Sequence, residues 1–331
     1  MRIENLIKVI DGKLLNLPSV SFIDQIRIDA KKVKRADAFL CLNKDDLHNA
    51  INNGAYAIIF SENFDIIDKE IAWIKVANIE KTIIRYLRYK TIQVSLKIFY
   101  CHDIVFQILK QLINDKNVIF LDKSLFDNFS KMMNADNSSI FISNNKDFTS
   151  SINPDITSIK KSDKNHINLV KYSLFESDFI INDIFYKNIK IPKIFLHFLN
   201  NAINFLQINN IAYSITDIYL QEHFEPVFID KNLNIKDFGS TNKVLLIEKD
   251  LSLISKEMIY LNTYARYAKS CLMLPKNNIF TDNIFEIINY DNMNDIFKIK
   301  DNNYNFYLIL KKEKDDIFAY ITKKQKQKTL F

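Results

Sequence analysis

Glycine is scarce in this chain of 331 residues, which contains only Gly12, Gly54 and Gly239. Average usage in proteins is about 7%. Proteins that bind phosphate through backbone amides usually place several glycines where the chain must approach the ligand closely. The scarcity therefore argues against nucleotide chemistry and against the large class of enzymes that depend on it.

Cysteines are also few, and their spacing suggests no site. Cys41, Cys101 and Cys271 are far apart in the sequence, and each lies in an apolar run. Because their number is odd, the simplest interpretation is three buried, reduced thiols. No Cys/His spacing indicates a zinc site. We therefore predict neither a metal nor a cofactor.

Long apolar runs are absent as well. No stretch reaches the length of about 18 apolar residues that a transmembrane helix needs, so no membrane span is predicted. The first residues, MRIENLIKVIDGKLL, lack the apolar core and the small-residue cleavage site that are typical of a secretory signal. The sequence therefore predicts a cytoplasmic location.

Charge is close to balanced except at the C-terminal end. The net charge is +6, and residues 311–331 contain seven lysines against Glu313, Asp315 and Asp316. Residues 323–331 are predicted to form a solvated basic tail, because no basic stripe of the kind that binds nucleic acid extends over a domain. We therefore predict no direct nucleic-acid binding.

Strand and helix patterns alternate along most of the chain, which predicts an α/β fold. Three α/β domains are predicted: an N-terminal domain of residues 1–92, a central domain of residues 93–225 and a Rossmann-like C-terminal domain of residues 226–322. The basic tail of residues 323–331 follows the third domain.

Three local features of the sequence give more specific predictions of secondary structure. A predicted helix ends at Gly54, where a left-handed residue is needed to stop it. Asn182 and Asp183 form the predicted turn of a β-hairpin. Close to the C-terminus, the segment DIFAYIT of residues 316–322 is predicted to be the last strand of the third domain.

The segment LKIFYCHDIVFQILKQL, residues 96–112, is predicted to be a strand that passes directly into a helix. Nucleotide-binding α/β proteins usually hold phosphate at such a junction with glycines, a lysine and a Ser or Thr that binds Mg²⁺. Here the junction holds Tyr100, Cys101, His102 and Asp103. None of the required residues is present, and the carboxylate of Asp103 would repel phosphate.

The N-terminal domain resembles that of the Mur ligases, the ATP-dependent ligases of peptidoglycan synthesis. The family pattern is T-D-S-R-x-V-x-x-G-D-x-F-x-A-L followed by D-G-H-x-F-x-x-x-A-x-x-x-G-A-x-A. The residues of this chain that match the pattern are Asp29, Val33, Asp37, Phe39, Leu42, Ala50, Gly54, Ala55 and Ala57.

The resemblance continues in the same order along the rest of the chain. Asn201, Ala202 and Ile211 match a helical segment of the family, and the stretch FEPVFIDKNLNIKDFGSTN resembles the start of its C-terminal domain. The likeness is greatest to the ligases that add the third residue or the terminal dipeptide. It implies a trimmed, three-domain Mur-ligase-like architecture in which residues 96–112 replace the phosphate loop.

The resemblance implies a non-catalytic protein that acts by binding a cell-wall biosynthesis protein or a UDP-muramyl precursor. In the family, the turn D-S-R helps to bind the uridine nucleotide, and Ala30 and Lys31 stand at its Ser and Arg positions here. The candidate uridine-sugar site therefore comprises Asp29, Lys31 and Asp37. No catalytic residue is predicted.

An active ligase with a rebuilt site is the first alternative. Its acids and bases would be Lys31, His102, Asp103 and Asp237. Acyl-phosphate chemistry requires a triphosphate clamped by positive charge and metal. These four residues do not form such a clamp in any recognisable pattern, so the sequence favours the binding role and leaves enzymatic activity open.

Docking on the DNA sliding clamp is the second alternative. The C-terminal peptide QKTLF resembles the Q-L-(S/D)-L-F peptide by which bacterial replication proteins bind the clamp. Leu330 and Phe331 would fill an apolar pocket, and Gln327 would form an orienting hydrogen bond. A solvated terminus without a partner is the simpler interpretation of the same residues.

Overall fold

The computed structural model places most of the chain. The residues that it describes are 1–122, 124–136, 138–278, 285–297 and 303–328, of which 324–328 are described by their backbone alone. None of the helices within these residues is both long enough and apolar enough to cross a bilayer.

The chain divides into two compact units. Unit 1 comprises residues 1–106 and 115–160, and unit 2 comprises residues 107–114 and 161–331. The predicted division into three domains and a tail stays a prediction.

Unit 1 alternates helices with short strands, as the sequence predicts. Its elements in chain order are α1 (Ile3–Ile10), β1 (Lys13–Leu14), β2 (Ile26–Arg27), β3 (Ala38–Leu40), α2 (Leu47–Asn52), β4 (Ala57–Phe60), β5 (Ala72–Lys75), α3 (Ile79–Val94), β6 (Lys97–Tyr100), the first turn of α4 (Asp103–Leu112), β7 (Val118–Leu121), α5 (Leu125–Asn134), β8 (Ile140–Ser143), α6 (Lys146–Ile152) and β9 (Thr157–Ser158).

The first sheet has the strand order β1-β5-β4-β3-β2, and only β1 runs antiparallel to its neighbour. Successive side chains of a strand point to opposite faces of the sheet. In β4, Ala57 and Ile59 join the core under α1 and α3, whereas Ile58 and Phe60 join a second core on the other face. A continuous apolar strand is what a sheet covered on both faces requires.

The helix before β4 ends as predicted. Its C-cap residue is Asn53, and Gly54 follows with a φ of +94°. A Cβ at this position would lie 3.0 Å from the backbone of Arg35, so a side chain would be strained by both conformation and space.

The second sheet of unit 1 is wholly parallel, with the order β7-β8-β6-β9. Ile98 of β6, Leu121 of β7 and Phe141 of β8 belong to the same core that lies under α1 and α3. This sheet places the carboxyl end of β6, and therefore the strand–helix junction, at one sheet edge together with the end of β8.

Unit 2 contains the remaining elements. After the end of α4, they are β10 (Asn168–Tyr172), β11 (Ser177–Ile181), β12 (Ile184–Ile189), α7 (Leu196–Ile208), β13 (Glu225–Ile229), β14 (Lys243–Glu248), α8 (Ile254–Tyr264), β15 (Ser270–Pro275), β16 (Ile287–Tyr290), α9 (Met293–Phe297), β17 (Phe306–Leu310) and α10 (Lys314–Lys328).

Strands β10, β11 and β12 form an antiparallel sheet with the predicted hairpin turn. Asn182 and Asp183 connect β11 to β12 with φ values of 49° and 63°. Two successive left-handed residues define the type I′ turn, whose twist matches that of the flanking strands. The larger sheet of unit 2 has the order β13-β14-β17-β15-β16, with β13 antiparallel and the others parallel.

The prediction of a final strand over residues 316–322 is wrong, because these residues lie within helix α10. Ile317 and Ile321 are four residues apart, and both side chains are buried in the core of the larger sheet. Asp315 and Asp316 lie in the first turn, where acidic residues favour the helix dipole. The backbone of residues 323–328 continues this helix.

Candidate functional site

The strand–helix junction lies at the carboxyl edge of the second sheet of unit 1. β6 ends at Tyr100, and α4 begins at Asp103. The backbone N–H of Cys101 donates to the carbonyl of Ser143 at 2.9 Å, which holds the turn on the end of β8. The ring Nδ1 of His102 accepts from the N–H of Ile104 at 3.2 Å.

These contacts reduce the number of backbone N–H groups that the start of α4 can donate to a ligand. A helix N-terminus binds phosphate through N–H groups that have no partner within the helix. Here the imidazole of His102 takes one of those groups, and the carboxylate of Asp103 lies in the first turn, where it accepts a hydrogen bond from the Asn144 side chain. The described side-chain contacts of His102 and Asp103 therefore occupy the start of the helix, and they place a carboxylate in its first turn.

Cys101 does not supply a reactive group at this junction. Its side chain is only 2% exposed, and burial, together with the charge of Asp103, raises the pKa of the thiol. The thiolate is the nucleophilic form, so a buried thiol with a raised pKa is inert near neutral pH. Cys41 and Cys271 are likewise free and buried.

Asp29 and Lys31 lie at an exposed turn at the start of a short 3₁₀ helix, Ala30–Lys32. The Asp29 carboxylate accepts from the Lys31 N–H at 3.0 Å and lies 3.8 Å from the Lys32 ammonium. Both candidate side chains are therefore accessible to a ligand from solvent.

Asp37 differs from the other two candidates, since it is only 2% exposed. One carboxylate oxygen accepts from the N–H of Gln25 at 3.3 Å, and the other accepts from the N–H of Lys34 at 3.0 Å and from Nε of Arg27 at 3.4 Å. Asp37 thus ties the segment after the 3₁₀ helix to β2, and it supports the turn from within.

Three residues of the rebuilt-site alternative lie in unit 1, and the fourth lies in unit 2. His102 and Asp103 adjoin each other at the junction, and no described contact joins Lys31 to them. Asp237 is exposed in unit 2, where its carbonyl accepts from the Ser240 N–H.

The candidate clamp-binding peptide lies mostly beyond the described part of the chain. Leu330 and Phe331 fall outside the described residues, and Gln327 is described by its backbone alone, within α10. Docking through this peptide therefore stays a prediction.

A buried polar cluster in unit 2 was missed by the sequence analysis. Nδ1 of His223 lies 2.8 Å from one carboxylate oxygen of Glu248, which also accepts from the N–H of Asp250 at 2.7 Å. The second oxygen accepts from the N–H of Phe224 at 3.1 Å. Both His223 and Glu248 are at most 2% exposed.

Glu257, in α8, completes this cluster. Its side chain is fully buried, and among the described residues no donor reaches either of its carboxyl oxygens. Burial, followed by the charge of Glu248, raises the pKa of Glu257 well above its ordinary value. The raised pKa favours the neutral acid, whose proton is then available to the neighbouring Glu248 carboxylate.

The sequence contains a weak signal for this cluster. Glu248 follows the apolar run VLLI of β14, and Glu257 lies on the same helical face as Ile254 and Leu261. A charged residue in an apolar pattern indicates a buried polar group, but the partner cannot be read from the pattern. Within the described ranges, no group of three or more His, Cys, Asp or Glu side chains is arranged to hold a metal.

No protein-family model matches the sequence, and no curated protein matches it. Comparison with solved structures nevertheless identifies the fold, which is that of the Mur ligases. The likeness extends over nearly the whole chain, and it confirms both the α/β architecture and the resemblance that the sequence predicts.

MurF ligases are among the similar structures. MurF of Thermotoga maritima, solved in complex with ADP, gives a TM-score of 0.53 at 11% identity, and the match covers 92% of this chain and 98% of that chain. MurF of Acinetobacter baumannii gives a TM-score of 0.52 at 9% identity, and the match covers 97% of this chain and 98% of that chain. At such identities the comparison establishes the fold alone.

Proposed function

We propose that this chain is a non-catalytic Mur-ligase-like protein that acts by binding a cell-wall precursor or a partner protein of cell-wall biosynthesis. The observation that supports this proposal is the junction between β6 and α4. Asp103 places negative charge in the first turn of the helix, and His102 already accepts an N–H group of that turn. Phosphoryl transfer depends on positioning and on positive charge. None of the four residues between β6 and the first turn of α4, Tyr100 to Asp103, is a glycine, a lysine or an arginine.

The first prediction is that Mg-ATP does not bind with a Kd below about 1 mM, which corresponds to about −4 kcal/mol. Calorimetric titration of the full chain measures this directly. MurF of Thermotoga maritima, whose solved structure contains ADP, is the positive control. A saturable isotherm in the micromolar range would contradict the non-catalytic role and would favour the rebuilt ligase site instead.

A variant identifies which group keeps ATP out. Asp103→Asn removes the charge at the start of the helix and keeps the shape of the side chain. Binding that appears only in this variant would assign the barrier to the Asp103 carboxylate. If neither protein binds ATP, the missing glycines and lysine are a sufficient cause.

The second prediction concerns the ligand of the proposed function. A UDP-N-acetylmuramoyl peptide is expected to bind unit 1 at the exposed turn, with Asp29 and Lys31 as its polar contacts. Changing both residues to Ala should weaken binding at least tenfold, or by about 1.4 kcal/mol. Titration calorimetry of the wild-type chain and of the double variant measures the difference.

The matched control changes Asp65 and Lys69 to Ala. This pair has the same charges and is also exposed in unit 1, but it lies outside the candidate turn. Equal binding by the Asp29/Lys31 variant and the control variant would remove the turn from the site. A wild-type chain that does not bind the precursor would leave the partner protein as the object of the proposed function.

A further inference from the structure

A cavity of about 240 Å³ lies within unit 2 and is separate from the strand–helix junction. Its wall combines residues from the turn between β10 and β11, from β13, from the loop that follows β13, and from the start of α10. Binding sites for small molecules are typically concave and apolar, with a few polar groups that fix the orientation of the ligand.

Three phenylalanines that contact one another form a large share of the apolar wall. The ring centroid of Phe175 lies 5.9 Å from that of Phe228 and 6.1 Å from that of Phe238, and the last two are 5.1 Å apart. All three pairs are edge-to-face, which is the favourable arrangement for aromatic rings. Phe238 is nevertheless 47% exposed, so a ligand that covered it would bury apolar surface.

The one acidic side chain that the cavity wall contains is already paired. Glu225 is 3% exposed, and it accepts from the Tyr219 hydroxyl, from the N–H of Glu222 at 2.9 Å and from the Lys314 ammonium at 2.8 Å. These contacts neutralise Glu225 and also occupy Lys314. Because Glu225 and Lys314 form an ion pair, they contribute little net charge to the cavity.

Lys190 supplies the remaining charge. It lies just after β12, its ammonium is 5.9 Å from the ring centroid of Phe238, and it has no carboxylate partner within the residues that the structure describes. Lys236, which also lines the cavity, is paired with Asp230 at 3.3 Å. The mouth of the cavity thus combines an exposed aromatic ring with an ammonium that can pair with an anion.

The backbone of the segment that contributes His223 and Phe224 to the wall is held in an uncommon conformation. Glu222 and Phe224 have φ values of 59° and 50°, which non-glycine residues rarely adopt. The carboxylates of Glu225 and Glu248 accept the N–H groups of these two residues and fix the conformation. Strained backbone that is held in this way is concentrated at functional sites.

We propose that this cavity binds a small aromatic carboxylate, with its ring against the cluster of Phe175, Phe228 and Phe238 and its carboxylate paired with Lys190. A volume of about 240 Å³ leaves room for one ring with a short acidic side chain. This site is independent of the precursor site that the proposed function places in unit 1.

The test uses phenylacetate and its neutral counterpart phenylacetamide as probes, titrated into the full chain and followed by ligand-observed NMR and calorimetry. The wild-type chain is expected to bind phenylacetate about tenfold more tightly than phenylacetamide. Lys190→Gln should remove this preference. Lys187→Gln should keep it, because Lys187 is an exposed lysine of β12 that lies outside the cavity wall.

A second variant tests the aromatic wall. Phe238→Ala should weaken the binding of both probes by a similar factor, because it removes apolar contact without changing charge. The proposal is overturned if the wild-type chain binds neither probe below about 10 mM, if it binds both equally, or if Lys190→Gln and Lys187→Gln behave alike. None of these outcomes bears on the ATP or precursor titrations, so the two proposals fail separately.

Discussion

Replacing Glu257 by Gln is expected to raise the stability of unit 2 at pH 8 by about 1–3 kcal/mol, because the folded chain must keep the Glu257 proton at a pH where the unfolded chain releases it. The Glu257 carboxyl is fully buried beside the Glu248 carboxylate, and both factors raise its pKa. The Gln amide has nearly the same shape and keeps a donor for Glu248. The amide cannot ionise. The variant therefore avoids the free-energy cost of keeping the buried Glu257 carboxyl protonated at high pH, or of ionising it beside Glu248.

The sign of the pH dependence follows from the raised pKa. The contribution of Glu257 is fully present below the pKa of about 4.3 that a Glu has in an unfolded chain, and it is lost as the pH rises through the higher pKa of the folded state. The stabilisation by Glu257→Gln should therefore increase from pH 4 towards pH 8. Hydrogen exchange of the β14 amides, measured across this range, reports the stability of unit 2.

The control for this prediction is Glu313→Gln, which changes an exposed carboxylate of the same unit. Its effect should stay within about 0.5 kcal/mol at every pH, as is usual for surface substitutions. Parallel pH profiles for the wild-type chain and Glu257→Gln would show that Glu257 ionises normally and that the two carboxyl groups do not share a proton.

Replacing Glu248 by Ala should have the opposite effect and lower the stability of unit 2 by about 3–5 kcal/mol, the range found when one partner of a buried charged contact is removed. The substitution leaves His223 Nδ1 and the N–H groups of Phe224 and Asp250 without their acceptor. An unsatisfied buried donor costs about 1–3 kcal/mol. The protonated Glu257 carboxyl also loses its neighbouring carboxylate.

The same hydrogen-exchange experiment measures the effect of Glu248→Ala, with Glu313→Ala as the matched control. The only tryptophan of the chain, Trp73, is buried in unit 1, so its fluorescence shows independently whether unit 1 stays folded. A loss of less than about 1 kcal/mol would mean that water or backbone rearrangement replaces the Glu248 carboxylate.

Much of the fold could be predicted because local chemistry and tertiary structure agree. The apolar run AIIF of β4 is buried on both faces, the helix before it ends at Gly54, and Asn182 and Asp183 adopt the left-handed turn that their residue types favour. The last helix could not be predicted in the same way. Ile317 and Ile321 fit the four-residue spacing of a helix, but together with Ala319 they also fit the two-residue spacing of a strand.

The candidate sites also differ in how far the sequence could predict them. The missing phosphate loop could be predicted because it concerns consecutive residues, and the structure adds the contacts of His102 and Asp103. The cluster of His223, Glu248 and Glu257 could not be predicted, since its members lie on a turn, a strand and a helix that only the folded chain brings together. Sequence patterns give the burial of a residue more readily than its partner.

The three buried cysteines can be used to measure local opening of the folded chain. Cys41 and Cys101 are buried in unit 1 and Cys271 in unit 2, and burial raises the pKa of each thiol, to about 11 for Cys41. Alkylating reagents react with the thiolate, which forms readily only once a thiol reaches water. The labelling rate of each cysteine therefore measures how often its surroundings open, and mass spectrometry can follow the two units separately in one unmodified protein.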